Sequence, residues 1–251
     1  MKPKLLLLTA LPAVLLSACG GGTVDSSDLK TEGIHATIRI YAVGNKTDVD
    51  VRLTAGGPNG SDVELTSDEL LYATAYGNIQ KLEREPQAFG LFDSYITSFT
   101  DNIPGETIDI IFMRPNDADA PESYVVVPPK VNFVSHSPTT KHSVSIDEDI
   151  NVSWEKNYSG SITVNTGLSC TYMSTSNSYY FEEEITDTGS YNSFNFAELL
   201  DNELPHEDSS CSGKLRVSRI VEGVLDSHYD GGNIKIEQYA ELEFNVDYYP
   251  L

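Results

Sequence analysis

Apolar and polar residues alternate with a period of two along most of the chain, which is the pattern of half-buried β-strands. Ile34, Ala36, Ile38 and Ile40 share one face of such a segment, and polar residues occupy the other face. Glycine, asparagine and proline separate the segments as turns. In the first half this pattern predicts strands at residues 34–40, 49–53, 70–76, 79–84, 95–99, 107–113 and 124–127. Short strands at this spacing favour a β-sandwich.

A second set of strands follows Pro128-Pro129. The second proline has no N–H for a strand ladder, and each proline restricts the residue before it, so we place a domain boundary there. A long final strand is predicted from Ile234, with a bulge or bend near Gln238–Tyr239, because Gln238 interrupts the apolar series. The sequence therefore predicts an all-β protein with two tandem β-sandwich domains, residues 31–128 and 129–251.

The opening of the second half resembles fibronectin type III and related immunoglobulin-like domains. A first strand ended by proline and a loop are followed by Ile150, Val152 and Trp154 at alternate positions. The resemblance implies an immunoglobulin-like sandwich in which Trp154 packs in the core and is not a ligand platform. It implies a fold and no function.

The first eighteen residues have the proportions of a secretory signal peptide, with a basic start, an apolar run and small residues at the end. The apolar run is shorter than the roughly 20 residues of a transmembrane helix. Leu16-Ser17-Ala18-Cys19 resembles the lipobox of bacterial lipoproteins. The resemblance implies cleavage before Cys19, a diacylglyceryl thioether on its sulfur, and an acyl chain such as palmitate on the freed amine. The alternative is an ordinary signal peptide in which Cys19 is incidental.

The residues after Cys19 bear on localisation. By the same resemblance, Gly20 favours the outer membrane, with the protein lipid-anchored on the periplasmic face or at the cell surface. Residues 19–30 are rich in glycine, serine and aspartate and are predicted to form a flexible tether. No later segment is long and apolar enough to span a bilayer, so the membrane partner is expected to be reached through the lipid alone.

Charge and motifs narrow the function. The chain carries 38 Asp+Glu against 16 Lys+Arg, a net charge of −22. Loss of Lys2 and Lys4 with the signal peptide makes this −24, which argues against nucleic acid as a partner. The sequence holds no Gly-x-Ser-x-Gly, no His-Glu-x-x-His and no dinucleotide fingerprint. We therefore expect a non-enzymatic protein with no catalytic residues.

Two cysteines remain once Cys19 is lipidated, Cys170 and Cys211. Because exported compartments oxidise thiols, we expect a disulfide between them. A metal or redox pair is the alternative, but neither cysteine has a Cys-x-x-Cys spacing or a histidine at ligand distance along the chain.

One segment resembles an EF-hand calcium loop. Asp226, Asp230, Gly231 and Glu237 match its first, fifth, sixth and twelfth positions. His228 at the third position departs from the pattern, and neither flank is predicted to be helical. The favoured alternative is a hairpin turn into the last strand. Calcium is thus the one candidate cofactor, with Asp226, Asp230 and Glu237 as candidate ligands.

Aromatic residues suggest a binding surface. Tyr179 and Tyr180 lie inside the predicted disulfide loop, and exposed aromatic residues at a sandwich edge bind carbohydrates and peptides in many modules. The alternative is that they close over the core. The sequence as a whole predicts a lipid-anchored envelope protein that binds or scaffolds an envelope protein or polysaccharide. The alternatives are a calcium-dependent or carbohydrate-binding module and, less favoured, a hydrolase.

Overall fold

The protein is nearly all-β, which confirms the predicted fold class. The structure is a computed structural model that describes residues 22–87, 92–136, 141–200, 206 and 209–247. The predicted signal peptide and Cys19 lie outside the described residues. The strands are β1 (Thr23–Asp25), β2 (Ile34–Val43), β3 (Lys46–Ala55), β4 (Ser61–Glu64), β5 (Leu70–Ala75), β6 (Asn78–Lys81), β7 (Glu83–Gln87), β8 (Phe92–Phe99), β9 (Thr107–Met113), β10 (Ala120–Val126), β11 (His142–Ser145), β12 (Ile150–Ser153), β13 (Ser161–Tyr172), β14 (Thr175–Thr186), β15 (Ser190–Phe194), β16 (Ser210–Glu222) and β17 (Gly231–Asp247). Short 3-10 helices occupy Ser26–Asp28, Thr31–Gly33 and Phe196–Leu200.

Eleven of these strands form one sheet. Its main order is β1-β4-β3-β2-β17-β16-β13-β14, with β8 on β3, β7 on β8, and β11 on β17. The first part of β17 pairs in parallel with β2, and the strand pairs antiparallel with β16 along most of its length. The last strand of the chain therefore joins the two halves in a single sheet.

The inner face of this sheet covers two cores. The first core lies between the sheet and the four strands β10-β9-β5-β6, and the second lies between the sheet and the pair β12-β15. Two layers packed face to face in each half make a β-sandwich, as predicted. Trp154 is buried in the second core, as the fibronectin resemblance implies.

The long strand β17 contributes to both cores. Ile234 and Ile236 pack in the first core, whereas Leu242, Phe244 and Val246 pack in the second. The domain boundary at residues 128 and 129 stays a prediction. Strand β17 belongs to the predicted second domain, yet its first part completes the core of the first sandwich.

Of the bulge or bend predicted near Gln238–Tyr239, the bulge is wrong. The register between β16 and β17 runs without a shift from Cys211↔Val246 to Glu222↔Lys235. Gln238 is buried where the pairing with β2 ends, directly opposite the buried Arg219. Gln238 interrupts the apolar series of β17 because it lies between the part of the strand that packs in the first core and the part that packs in the second.

The flexible tether predicted for residues 19–30 is wrong for residues 22–30. This segment packs on the first sandwich, where Ser26 and Thr31 are fully buried. The buried Arg114 donates to the Ser26 carbonyl at 2.6 Å and to the Thr31 hydroxyl at 3.0 Å. A glycine- and serine-rich sequence is ordered here because a buried guanidinium satisfies its acceptors.

Candidate functional site

The sheet surface that points away from the second core is exposed and polar. Because side chains alternate along a strand, it is formed by the odd-numbered residues of β13, the even-numbered residues of β14 and β16, and the odd-numbered residues of β17 from Lys235 onward. We call this surface the outer face. It contains a groove of about 640 Å³ with Tyr180, Gly167, Lys214 and Arg216 in its lining.

Tyr180 is the aromatic side chain of the outer face with the highest exposed fraction. It lies directly opposite Gly167 across β13 and β14, and a Cβ on that glycine would be 3.3 Å from two carbons of its ring. Tyr180 is nevertheless 83% exposed, so the ring rests on the glycine and presents most of its surface to solvent. The small polar residues Asn165, Ser169 and Ser178 surround it in the groove. The groove therefore combines an exposed aromatic ring with side chains that can form hydrogen bonds.

Charged pairs line the other side of the groove. Arg216 donates to Glu241 Oε2 from Nε at 2.9 Å and from Nη2 at 2.7 Å, and its guanidinium lies 4.2 Å from the centre of the Tyr239 ring. Lys214 Nζ lies 3.3 Å from the same carboxylate. Burial opposes ionisation of Glu241, but the hydrogen bonds and positive charges of Arg216 and Lys214 together outweigh it and hold the pKa of Glu241 below its ordinary value. The carboxylate is therefore ionised at neutral pH.

The two predicted ligand-binding tyrosines separate in the structure. They are consecutive residues of β14, so they point to opposite faces of the sheet. Tyr180 belongs to the outer face, whereas Tyr179 packs partly against the second core. The binding interpretation thus keeps Tyr180, and the alternative of closing over the core applies to Tyr179.

The candidate calcium ligand Asp226 has a structural role in the loop between β16 and β17. It is 3% exposed, and its carboxylate accepts hydrogen bonds from the backbone N–H of Glu122 at 2.7 Å and of His228 at 2.8 Å. Burial raises the pKa of Asp226, but these two hydrogen bonds and the contact with the His228 ring together outweigh it and leave the pKa below its ordinary value. The residue joins the loop to β10.

The other two candidate ligands lie apart from this carboxylate. Asp230 is exposed at the end of the turn, and Glu237 lies on the outer face, where it accepts from the Ser218 hydroxyl at 2.7 Å. Within the described ranges, no group of three or more His, Cys, Asp or Glu side chains could hold a metal ion. The segment instead begins in the loop that connects β16 to β17 and continues into β17 from Gly231 onward, so residues 231–233 are strand and not the predicted turn.

Cys170 and Cys211 face each other across β13 and β16 and are joined as a disulfide, with Cα atoms 4.1 Å apart. Both are buried on the inner side of the sheet, opposite the side that carries Tyr180. The bridge fixes the pairing of two strands that present the outer face.

Gly167, Arg216 and Glu241 were not predicted as parts of a site. The available signal was Gly167 itself, because a glycine inside a strand often marks a close approach of another group. Arg216 and Glu241 come from separate strands, and only their register brings them together.

In the part of the chain that the structure describes, no helix has the length and apolar character needed to cross a membrane.

No protein-family model matches this sequence, and no curated protein matches it. Similar solved structures include a cytokine receptor complex, with 11% identity and a TM-score of 0.29 over 84% of this chain and 95% of that chain. The FN1–FN3 domains of chicken CNTN1 share 13% identity, with a TM-score of 0.21 over 81% of this chain and 65% of that chain. SGBP-B of the Bacteroides ovatus mixed-linkage glucan utilization locus, in complex with a mixed-linkage heptasaccharide, shares 9% identity. Its TM-score is 0.19 over 92% of this chain and 67% of that chain. TM-scores this low carry no argument about the fold or the function of this chain.

Proposed function

We propose that this protein is a membrane-anchored envelope protein that binds a polysaccharide on its outer face and catalyses no reaction. The observation that supports the proposal best is the exposed Tyr180 ring resting on Gly167 inside a groove of hydrogen-bonding side chains. The C–H groups of a sugar ring pack well against the electron-rich face of an aromatic ring. Sugar hydroxyls would pair with Asn165, Ser169 and Ser178 around it.

The charges of the groove favour a neutral polysaccharide. The cations nearest the tyrosine, Lys214 and Arg216, are already paired with Glu241, and Glu182 lines the groove beside Tyr180. An anionic polymer would also meet a chain with a net charge of −22.

The start of the folded body supports an anchored arrangement. Cys19 precedes Gly22 by three residues, which span at most ~11 Å when extended. The carbonyl of Gly22 accepts a hydrogen bond from the backbone N–H of Asp62 at 3.1 Å, so this end of the first sandwich is fixed. A lipid on Cys19 would therefore hold the first sandwich close to the bilayer.

The sheet would then carry the groove away from the lipid. Asp62 lies in one row of the sheet with Gly231, the first residue of β17, through paired residues of β3 and β2. The register places Tyr180 level with Glu243, twelve positions further along β17. At ~3.3 Å per residue, the groove lies about 40 Å along the strand from the anchored end.

Affinity electrophoresis tests the proposed ligand class. The protein is run through native gels that contain β-glucan, dextran or mannan, with alginate as the anionic comparison. We expect at least one neutral polysaccharide to retard it, Tyr180→Ala to weaken this binding about tenfold, and Tyr180→Phe to retain most of it. Met173→Ala is the control, because Met173 is 84% exposed in the turn before β14 and lies outside the groove.

Two results would contradict the proposal: no neutral gel retards the wild type, or Tyr180→Ala migrates like the wild type in the gel that does. Anchoring is tested separately by metabolic labelling with palmitate. The wild type is expected to take up the label and sediment with membranes, and Cys19→Ser to do neither.

A further inference from the structure

We propose that the open edge of β14 accepts an extended basic segment of a partner protein as an additional strand. β14 is the last strand in the order of the large sheet, and all twelve of its residues pair with β13. Among the described residues, no strand pairs with its other side. An edge strand presents a row of unpaired backbone N–H and C=O groups there, which is the template used in strand addition.

This edge lacks most of the features that protect natural edges. The register with β13 runs without a shift from Ser161↔Thr186 to Tyr172↔Thr175, so no bulge turns the strand away. Thr175–Thr186 contains no proline, and its twelve residues extend over ~40 Å. Protected edges are usually short, bulged, covered or interrupted by proline. β7, by contrast, carries Pro86.

Charge decides which strand fits. Glu182, Glu183 and Glu184 follow one another near the end of β14, and the hydrogen bonds that the last two receive come from the neutral hydroxyls of Tyr191 and Ser161. None of the three has an ion-pair partner in the described part of the chain. The glutamates repel an acidic strand and attract a cationic one.

The remaining residues of the β14 edge determine which other residue types the partner strand should carry. Residues 175–181 are uncharged, and Phe181 is 46% exposed on the side of the sheet that faces the second core. β-branched side chains on an added strand would pack against it. The expected partner is therefore a segment with Lys or Arg opposite the glutamates and Val, Ile or Thr opposite the uncharged part.

This inference goes beyond the proposed binding of polysaccharide and does not depend on it. It rests on the backbone edge of β14 and on the glutamates, whereas the proposed polysaccharide platform rests on the ring of Tyr180 above the sheet. Tyr180→Ala is expected to leave peptide binding within about threefold of the wild type.

Fluorescence anisotropy with the full-length protein in detergent tests the proposal. The probe is a labelled nine-residue peptide of alternating valine and lysine, and the comparison peptide has glutamate in place of lysine. We expect the lysine peptide to bind and the glutamate peptide not to bind. Glu182→Gln together with Glu184→Gln should weaken binding about tenfold. The matched control is Glu83→Gln with Glu85→Gln on β7, which has the same spacing on another edge and should have no effect.

A pair of proline variants tests the role of the backbone. Only alternate N–H groups of an antiparallel edge strand bond to its neighbour. Of Asn177→Pro and Ser178→Pro, one therefore removes a hydrogen bond to β13 and the other removes only an outward N–H. The variant that keeps the wild-type melting temperature is the informative one, and it should weaken peptide binding at least tenfold.

Three binding results would overturn the proposal. They are a wild type that does not bind the lysine peptide, a wild type that binds the glutamate peptide equally well, and a stable proline variant that binds like the wild type. Sedimentation that shows a dimer, lost in the same proline variant, would also overturn it by assigning the edge to a second copy of the chain.

Discussion

A buried ion pair between Arg219 and Asp187 lies where the two cores meet. The side chains are 0% and 1% exposed, and Arg219 Nη2 lies 2.9 Å from Asp187 Oδ2. Arg219 Nη1 also donates to the backbone carbonyls of Pro129 at 3.0 Å and Lys130 at 2.6 Å. Arg219→Met keeps an unbranched side chain of smaller size but leaves the Asp187 carboxylate buried without a cation.

The expected loss follows from that uncompensated charge. Removing one partner of a buried pair costs about 3–5 kcal/mol. For a chain of this size, each kcal/mol lowers the melting temperature by roughly 2–4 °C, so a loss of ~4 kcal/mol corresponds to roughly 8–16 °C. Urea unfolding followed by the fluorescence of Trp154 measures the effect directly. This is the only tryptophan of the chain, and its Nε1 donates to Asp187 at 2.9 Å.

Two variants control the interpretation. Arg219→Met combined with Asp187→Asn removes the buried charge and should recover part of the loss. Lys46→Met removes an exposed partner of Asp48, with Lys46 58% exposed, and should change the unfolding free energy by less than about 1 kcal/mol. A loss below ~1 kcal/mol for Arg219→Met, or a double variant that is less stable than the single one, would contradict a large cost from the buried charge.

Three further predictions concern other parts of the fold. Replacing Cys170 and Cys211 by alanine should cost about 4 kcal/mol in the entropic model, since the bridge spans a sequence separation of 41, and urea unfolding measures this. Burial and the neighbouring His142 lower the pKa of His136, so its stabilising contribution is complete above its ordinary pKa and is lost as the pH falls below it. Melting temperatures between pH 7.5 and 5 should fall more steeply for the wild type than for His136→Gln. Gly232→Ala should lower stability by more than about 2 kcal/mol, because its φ of +129° is strained for alanine and its Cβ would stand 1.8 Å from a carbonyl oxygen of β2.

Each of these has a result that contradicts it. An unchanged denaturation midpoint on removing both cysteines would show that the bridge does not constrain the unfolded chain. Parallel pH curves for the wild type and His136→Gln would exclude the histidine as the source of the pH dependence. Gly44→Ala is the control for Gly232→Ala, because Gly44 has a φ of +56° and open space around it. Equal losses in the two would contradict the close approach.

Several strands of the first half could be predicted because one face of each is buried. Residues 34–40 alternate strictly between apolar and polar side chains, residues 107–113 alternate in burial, and the structure has strands in both places. β14 could not be predicted in the same way. It is an edge strand that is largely exposed on both faces, so its sequence has no apolar alternation and resembles a loop.

Long-range contacts explain the other differences. Residues 22–30 have the composition of a flexible linker, and they are ordered by contacts with distant residues, the pairing of β1 with β4 and the hydrogen bond from Arg114. The outer face is likewise assembled from four strands whose register is not encoded in any single segment. Tyr180 was a candidate from the sequence because it is aromatic, whereas Gly167 below it gains its meaning only from the pairing of β13 with β14.

NMR shift mapping shows directly whether the outer face binds a saccharide around Tyr180. Amide spectra of the protein are recorded during titration with an oligosaccharide prepared from the polysaccharide that retards it. We expect the largest shift changes at Gly167, Tyr180 and Lys214, with little change on the exposed side of β10-β9-β5-β6. Shifts concentrated on that smaller sheet, with the amides around Tyr180 unmoved, would contradict it.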